Sequence, residues 1–371
     1  MNITFVSDAI YPYNKGGKEK RLYELSTRLA AMGHDVHIYT MHWWESPEKS
    51  RIEHGVHLHA ISRFYPMYKG DVRSIKQGVL FGLACFRLFR IKFEILDVDH
   101  MPFFPIYSAW LVCLFRGKRF HGTWHEALSR KDWVNYMGAA GNIAALVERI
   151  SVQLPHAVTA ASDHTHRLIK TELKRRRNIS VVSSGIDVGL INAVKPARRR
   201  IDVLYAGRLV KDKNIDKLVD AIGLAAKTMP SLRCTIVGHG AEKQRIMRQI
   251  KKLKLQSHIN LVEPLTNASD IYAYMKISRV FCLPSVREGF GIVALESLAC
   301  NTPVITTSAP ANAAKDLING KNGSVVSLTV ESLAQAITRW VSNARPRALA
   351  KTVADYGWDS LAEKQLGVYI S

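Results

Sequence analysis

From end to end the chain alternates short strand-like apolar runs with longer stretches of helical periodicity. Parallel strands need a crossover between neighbours, so this alternation points to α/β sheets with helices in the connections. Runs at 3–7, 35–40, 57–61, 93–98, 119–123, 157–161 and 179–182 read as the strands of a first doubly wound unit. Between them, residues 18–32 set Leu22, Leu25, Leu29 and Met32 on one helical face and stop at Gly33, a left-handed cap position. From 189 to 200 the periodicity fails and Pro196 and a basic run enter, so this segment reads as a linker. A fresh strand at 202–206 opens a second series, with further strands expected at 233–237, 260–262, 279–283, 303–307 and 324–326. The expected domains are therefore 1–188 and 201–355, and 371 residues are ample for two cores. No repeat of 20 to 50 residues is visible, which argues against a solenoid.

An apolar content of 47% supports two cores. No apolar run reaches the ~18 residues of a spanning helix; 101–115 comes nearest and contains Pro102 and Pro105. The N-terminus runs directly into a strand pattern with no secretory signal, so a cytoplasmic location is expected. Cys85, Cys113, Cys234, Cys282 and Cys300 stand singly among apolar neighbours, which argues for reduced, buried thiols and against disulfides or zinc. The formal net charge of +21 gathers in clusters at 116–119, 174–177 and 198–200. Such clusters attract phosphate-rich polymers or anionic lipid. They lack interleaved aromatics and any nucleic-acid-binding signature, so nucleic acid ranks below an anionic membrane surface or an anionic glycolipid. Residues 80–93, where Arg87, Arg90 and Lys92 punctuate apolar side chains, and an amphipathic helix at 143–154 suggest a membrane-facing surface, with core packing the competing role for those apolar residues.

The richest stretch for chemistry is 280–296. A buried strand ends at Pro284-Ser285, Glu288-Gly289-Phe290-Gly291 turns the backbone, and Ile292, Val293, Leu295, Leu298 and Ala299 have helical spacing. Free amides at such a helix start favour phosphate, and ionised Glu288 and Glu296, which only accept hydrogen bonds, suit hydroxyls. Phosphate plus hydroxyls describes a nucleotide sugar. Were both carboxylates on one helix, their separation along its axis would be about 12 Å. Solvated glutamates on an ordinary strand-turn-helix give the same outline, but two of them flanking Gly-Phe-Gly favour a ligand site. Arg208 and Lys213 follow the second unit's first strand, where doubly wound sheets present ligands, and two cations there can neutralise a departing diphosphate without a metal ion. Gly238-His239-Gly240 also sits at a strand end, yet residue 243 is Lys and no Gly-x-Gly-x-x-Gly follows either first strand, so a dehydrogenase is disfavoured.

The run Glu288-Gly289-Phe290-Gly291-Ile292-Val293-Ala294-Leu295-Glu296 resembles the Glu-x7-Glu signature of the large retaining glycosyltransferase family 4, whose members have the GT-B fold of two Rossmann-like domains facing across a cleft. Ala206-Gly207-Arg208-Leu209 with Lys213-Asn214 resembles the family's pyrophosphate segment, Val237-Gly238-His239-Gly240 its nucleotide-side loop, and Gly16-Gly17 its N-terminal glycine loop. The resemblance spans nearly the whole chain and is tightest at 200–326. It implies transfer of a sugar from a nucleoside diphosphate sugar to a hydroxyl acceptor with retention, without metal or cofactor, and fits cell-envelope or polysaccharide biosynthesis. Arg208, Lys213 and amides near Gly16, Gly17 and Gly289 would stabilise the diphosphate, Glu288 the sugar hydroxyls and Glu296 the ribose, with Gly238, Phe290, Gly291 and Ile292 also lining the donor. His125 resembles the family's histidine near donor sugar and acceptor, with Glu126 expected to orient it and His100 a weaker case. The terminal helix, 356–371, is expected to cross back onto the first domain. Asp97-Val98-Asp99 superficially matches a metal motif of another glycosyltransferase fold and is read as structural; neither Lys18 nor Lys20 is given a role. Two departures stand out: Asn301 where relatives often have Gly, and Ala311-Asn312-Ala313-Ala314 where many carry Gly-Gly. Phosphorolysis or epimerisation on the same fold, and a basic nucleic-acid-binding protein, are the competing functions.

Overall fold

The computed structural model describes residues 1–69, 72–198, 200–265, 267–344, 346 and 348–371, with only the backbone of Lys69 and Val72. Arg199 of the basic run at 198–200 lies outside the described residues. The chain divides into two compact units, Met1–Gly185 with Trp358–Ser371, and Ile186–Gly357.

The first unit's main sheet contains β1 (Asn2–Val6), β2 (Asp35–Met41), β3 (Ser50–Glu53), β4 (Val56–Ser62), β7 (Ile95–Asp99), β8 (His121–Trp124), β9 (Ala157–Ala160) and β10 (Ile179–Val181); β5 (Tyr68–Lys69) and β6 (Val72–Arg73) form a separate small hairpin. The order is β10-β9-β8-β7-β1-β2-β4-β3, parallel throughout except where β3 pairs with β4. Central strands such as β1 are buried on both faces, which is why they read as continuous apolar runs. The helices are α1 (Gly17–Ala31), α2 (Ile75–Ala84), α3 (Phe104–Arg116), α4 (Arg130–Met137), α5 (Gly141–Ser151) and α6 (Asp163–Thr171). The expected segment 80–93 thus divides between α2 and a 3-10 turn, Cys85–Arg90.

The second unit holds α7 (Val188–Ala193), α8 (Ile215–Ala226), α9 (Lys243–Lys252), α10 (Ala268–Ile277), α11 (Ile292–Ala299) and α12 (Val330–Ser342) around β11 (Val203–Ala206), β12 (Cys234–Val237), β13 (Ile259–Val262), β14 (Val280–Leu283), β15 (Val304–Thr307) and β16 (Gly323–Val326). All six strands are parallel in the order β13-β12-β11-β14-β15-β16. The segment 189–200 is not a bare linker. Asp187 caps α7 by accepting from Leu190 N at 2.8 Å, Ile191 is buried in the second core, and Ile186 N donates to Tyr356 O at 2.8 Å, so the unit already begins at Ile186.

The last helix, α13 (Trp358–Ile370), belongs to the first unit. Trp358, Leu361 and Ala362 pack with Leu25 of α1, Tyr369 OH donates to Asp97 Oδ2 at 2.6 Å, and the buried Arg21 donates to Gln365 Oε1 at 3.0 Å. All five cysteines are buried and stand outside disulfides. Among the described residues no helix is long and apolar enough to cross a membrane.

Candidate functional site

In an open doubly wound sheet, ligands bind beyond the carboxyl ends of the strands where the strand order reverses. In the second unit that point lies between β11 and β14. After β11 the backbone is fixed from two sides: the Tyr205 hydroxyl donates to Arg208 O at 2.8 Å and Leu209 N to His239 O at 2.8 Å. Leu209 is buried, while the Arg208 side chain is exposed, without hydrogen bond or ion pair among the described residues. A 3-10 turn, Lys211–Lys213, then leads through left-handed Asn214 into α8. The loops after β11 and β14 are tied together: Val286 N donates to Asp212 O at 3.0 Å and Asn214 Nδ2 to Pro284 O at 3.2 Å. Across this tie, Lys213 Nζ lies 2.6 Å from Glu288 Oε1.

Glu288 is not helical. Its amide donates to Ala311 O at 3.0 Å and its carbonyl accepts from Ala313 N at 2.9 Å, so a bridge to the 311–314 segment sets its place and the 12 Å helical spacing does not apply. Buried Asn312 holds that segment through Thr306 and Thr307. Gly291 caps α11 with φ at +90°, and a Cβ there would sit 2.5 Å from Ala314 Cβ, so glycine is required on both counts. The amides of Ile292 and Val293, at the start of α11, have no helical partner by position. Glu296, one turn on, accepts from Tyr272 OH at 2.8 Å. Burial, reinforced by the Glu296 charge, pushes the Tyr272 phenol above its ordinary value, so it remains a neutral donor.

Two expected donor-lining residues have other duties. The Phe290 ring is 9% exposed and packs against Tyr356, leaving its backbone as the part able to meet a ligand. Gly238 donates its amide to Val262 O at 3.0 Å, and a Cβ on it would meet Gly207 O at 2.0 Å; it lets the ends of β11 and β12 close together.

The first unit reverses strand order between β1 and β7. Gly16 caps α1 and Gly17 opens it. Lys18 turns back, with Nζ 2.8 Å from Asp8 Oδ1, 3.1 Å from Ser7 Oγ and 3.4 Å from Asp99 Oδ2. Arg73 and Gln77 also bond Asp8, which is fully buried. Burial alone would raise the Asp8 and Asp99 carboxyls, but Lys18, with Arg73 at Asp8 and His125 at Asp99, holds both below the usual range. Burial would likewise lower the Lys18 ammonium, and the two carboxylates raise it instead. His125 Nε2 lies 2.7 Å from Asp99 Oδ1, so the ionised carboxylate places the ring proton on Nε2, while Nδ1 is buried without a hydrogen-bond partner among the described residues. Asp99 therefore orients His125, so half of the pair read as structural holds a residue of the candidate site. Asp97 is structural, accepting from Thr123 Oγ1 at 2.9 Å and from Tyr369. His100 donates nothing from its buried Nε2 among the described residues, and burial, with His125 beside it, pulls its pKa down to about 3.

Asp8, Arg73 and Tyr272 escape a reading of the sequence, and Lys18 is visible there only as a charge beside the glycine turn. For Asp8 the only signal is its place just beyond the first strand; Arg73 reaches it over 65 residues of chain.

Residues 15–190 match the family model described as Glycosyltransferase Family 4, and residues 191–356 that described as Glycosyl transferases group 1. The chain is 26% identical to a glycogen synthase of Mycobacterium tuberculosis over 397 aligned residues, covering 100% of this chain and 95% of that protein. It is 23% identical to a D-inositol 3-phosphate glycosyltransferase of Pseudarthrobacter chlorophenolicus over 343, covering 84% and 78%. Among solved structures it resembles a sucrose-phosphate synthase from Thermosynechococcus elongatus with a TM-score of 0.82 at 19% identity, covering 100% of this chain and 98% of that one, which identifies the fold as GT-B. With two glycosyltransferase models matched in succession and whole-length relatives of the same kind, the chain is a glycosyltransferase of the family 4 type.

Proposed function

We propose that this glycosyltransferase moves a sugar from a nucleoside diphosphate sugar to a hydroxyl of a glycan or glycolipid, retaining the anomeric configuration and using no metal ion, in envelope or polysaccharide synthesis at the cytoplasmic side of a membrane. The observation that most supports this reading is the β11–β14 switch point, whose loops carry uncommitted Arg208, the Lys213–Glu288 pair and, one helix turn beyond Gly291, Glu296. As the bond from the anomeric carbon to the diphosphate oxygen breaks, charge grows on the leaving phosphate; Arg208, Lys213 and the amides from Gly289 to Val293 oppose it. The acceptor oxygen forms its bond on the face the diphosphate leaves, and its proton passes to the departing phosphate oxygen. No enzyme nucleophile is consumed. Glu288 and Glu296 accept from sugar and ribose hydroxyls respectively. In the first unit, His125 is assigned to a reacting hydroxyl through its free Nδ1, and the Gly16-Gly17 turn to phosphate.

A thermal-shift panel of UDP, GDP, ADP and their sugars, with and without EDTA, tests the reading. One nucleotide family should raise the melting temperature by several degrees regardless of EDTA, and NMR of the transferred product should show the donor's anomeric configuration. No shift with any nucleotide would overturn the assignment of the site.

A further inference from the structure

Helix α3 carries no charged side chain before its last residue, so its outer face is as apolar as its inner one. Ile106, Ala109, Val112 and Cys113 are buried, whereas Trp110, Leu114 and Phe115 are exposed, Leu114 by 60% and Phe115 by 75%. A helix apolar all round belongs under cover. The neighbouring 3-10 turn after α2 exposes Phe86 and Phe89, whose rings stack at 6.4 Å, and Phe89 lies 6.3 Å from Phe115. On α5, Ile143, Leu146 and Ile150 add an exposed stripe, tied to α3 by Tyr107 OH donating to Val147 O at 2.9 Å. Single exposed apolar residues are ordinary, but a connected group of this size marks an interaction surface.

The charge near the exposed rings is chiefly basic, with Glu94 the acidic residue next in sequence. Residues 72–93 and 100–125 contain no Asp or Glu, while Arg87, Arg90, Lys92, Arg116, Lys118 and Arg119 flank the exposed rings along the chain. Arg116 lies over Phe93 at 5.0 Å and donates to Leu88 O and Ile91 O, and Lys118 donates to Phe93 O, so their stems are fixed beside the apolar group. Arg90 and Lys92 are exposed, without hydrogen bond or ion pair among the described residues. A twofold dimer through this face would set like charges against each other, because such an interface uses the same patch on both copies. Anionic lipid answers both the apolar group and its rim.

We propose that this face of the first unit docks on an anionic lipid bilayer, with Phe86, Phe89, Leu114 and Phe115 entering the acyl boundary and the basic rim resting on lipid phosphates. The inference deepens the proposed function, and rests on it only in making a glycolipid the acceptor; lipid binding needs neither donor nor transfer.

The test is co-sedimentation of the intact chain with phosphatidylcholine vesicles containing about a third phosphatidylglycerol, against phosphatidylcholine alone. The chain should bind the anionic vesicles about tenfold better, and lose that gain at ~0.5 M salt. Leu114→Ser with Phe115→Ser, and separately Arg90→Glu with Lys92→Glu, should each weaken binding about tenfold without moving the melting temperature. Lys251→Glu with Lys252→Glu, exposed in the second unit, should leave binding unchanged, which separates docking from the attraction of net charge. No sedimentation, equal loss in the Lys251/Lys252 pair, or a stable dimer dissolved by the Leu114/Phe115 pair would overturn the proposal. Because the vesicles carry no acceptor, failure here leaves nucleotide binding and sugar transfer untouched, and failure of those leaves this result standing.

Discussion

The two switch points carry similar charges arranged to opposite ends. In the first unit Asp8 and Asp99 are buried against Lys18, Arg73 and His125, so each charge is answered within the protein. In the second, Arg208 stands exposed and uncommitted among the described residues, and Lys213 has the carboxylate of Glu288 at 2.6 Å and the Arg287 carbonyl at 3.5 Å beside its ammonium. A closed set fixes geometry: Asp99 holds the tautomer and direction of His125. An open set can take up an anion. On the proposed function, the difference gives positioning to the first unit and charge neutralisation to the second.

The sharpest way to break that contrast is Asp8→Ala. It leaves the largely covered side chains of Lys18 and Arg73 without their shared carboxylate and should cost about 3–5 kcal/mol of stability in urea unfolding. Arg208→Ala should do the reverse, leaving stability within about 0.5 kcal/mol while slowing transfer by ~10²–10³-fold, with Lys213→Ala slowing it similarly. If Arg208→Ala unfolds the chain as Asp8→Ala does, the contrast is lost.

Acidification sharpens it further. His100 has its pKa lowered from 6.5 to about 3, so between those values the unfolded chain binds more protons than the folded one. Stability contributed by neutral His100 is therefore complete above pH 6.5 and lost as pH falls towards 3. Asp8 and Asp99, held below 3.8, add their own loss only beneath that value. His100→Gln should flatten the upper part of the curve; an unchanged slope would contradict the burial argument. A smaller effect is expected for Glu296→Ala, which should weaken nucleotide binding about tenfold and, by taking the acceptor from Tyr272 OH, cost about 1 kcal/mol of stability.

How much of this was legible depends on whether the signal is local. The parallel strands stand out because burial on both faces makes them continuous apolar runs, and β1, β11 and β14 fall within a residue or two of expectation. β3 is an edge strand of Ser-Arg-Ile-Glu, exposed over its first three residues, and carries no such pattern. Helix α7 is short and has one buried anchor, Ile191, too little to show periodicity. At the site, Arg208, Lys213 and Glu288 are legible because each follows a strand end, and Glu296 because it lies one turn into the helix that follows. The links Asp8–Arg73, Asp99–His125 and Tyr272–Glu296 exist only once distant strands and helices meet, so spacing along the chain could not reveal them. Phe290 shows the opposite failure, since its glycine neighbours suggest a ligand while its ring fills the core.

Calorimetric titration of the preferred nucleoside diphosphate against its nucleoside, in the wild type and in Arg208→Ala with Lys213→Ala, weighs the diphosphate's share of binding with no acceptor needed. The diphosphate should improve wild-type affinity by at least about tenfold, and the double variant should lose most of that gain while still binding the nucleoside. A gain that survives intact in the double variant would show that the pyrophosphate is neutralised elsewhere.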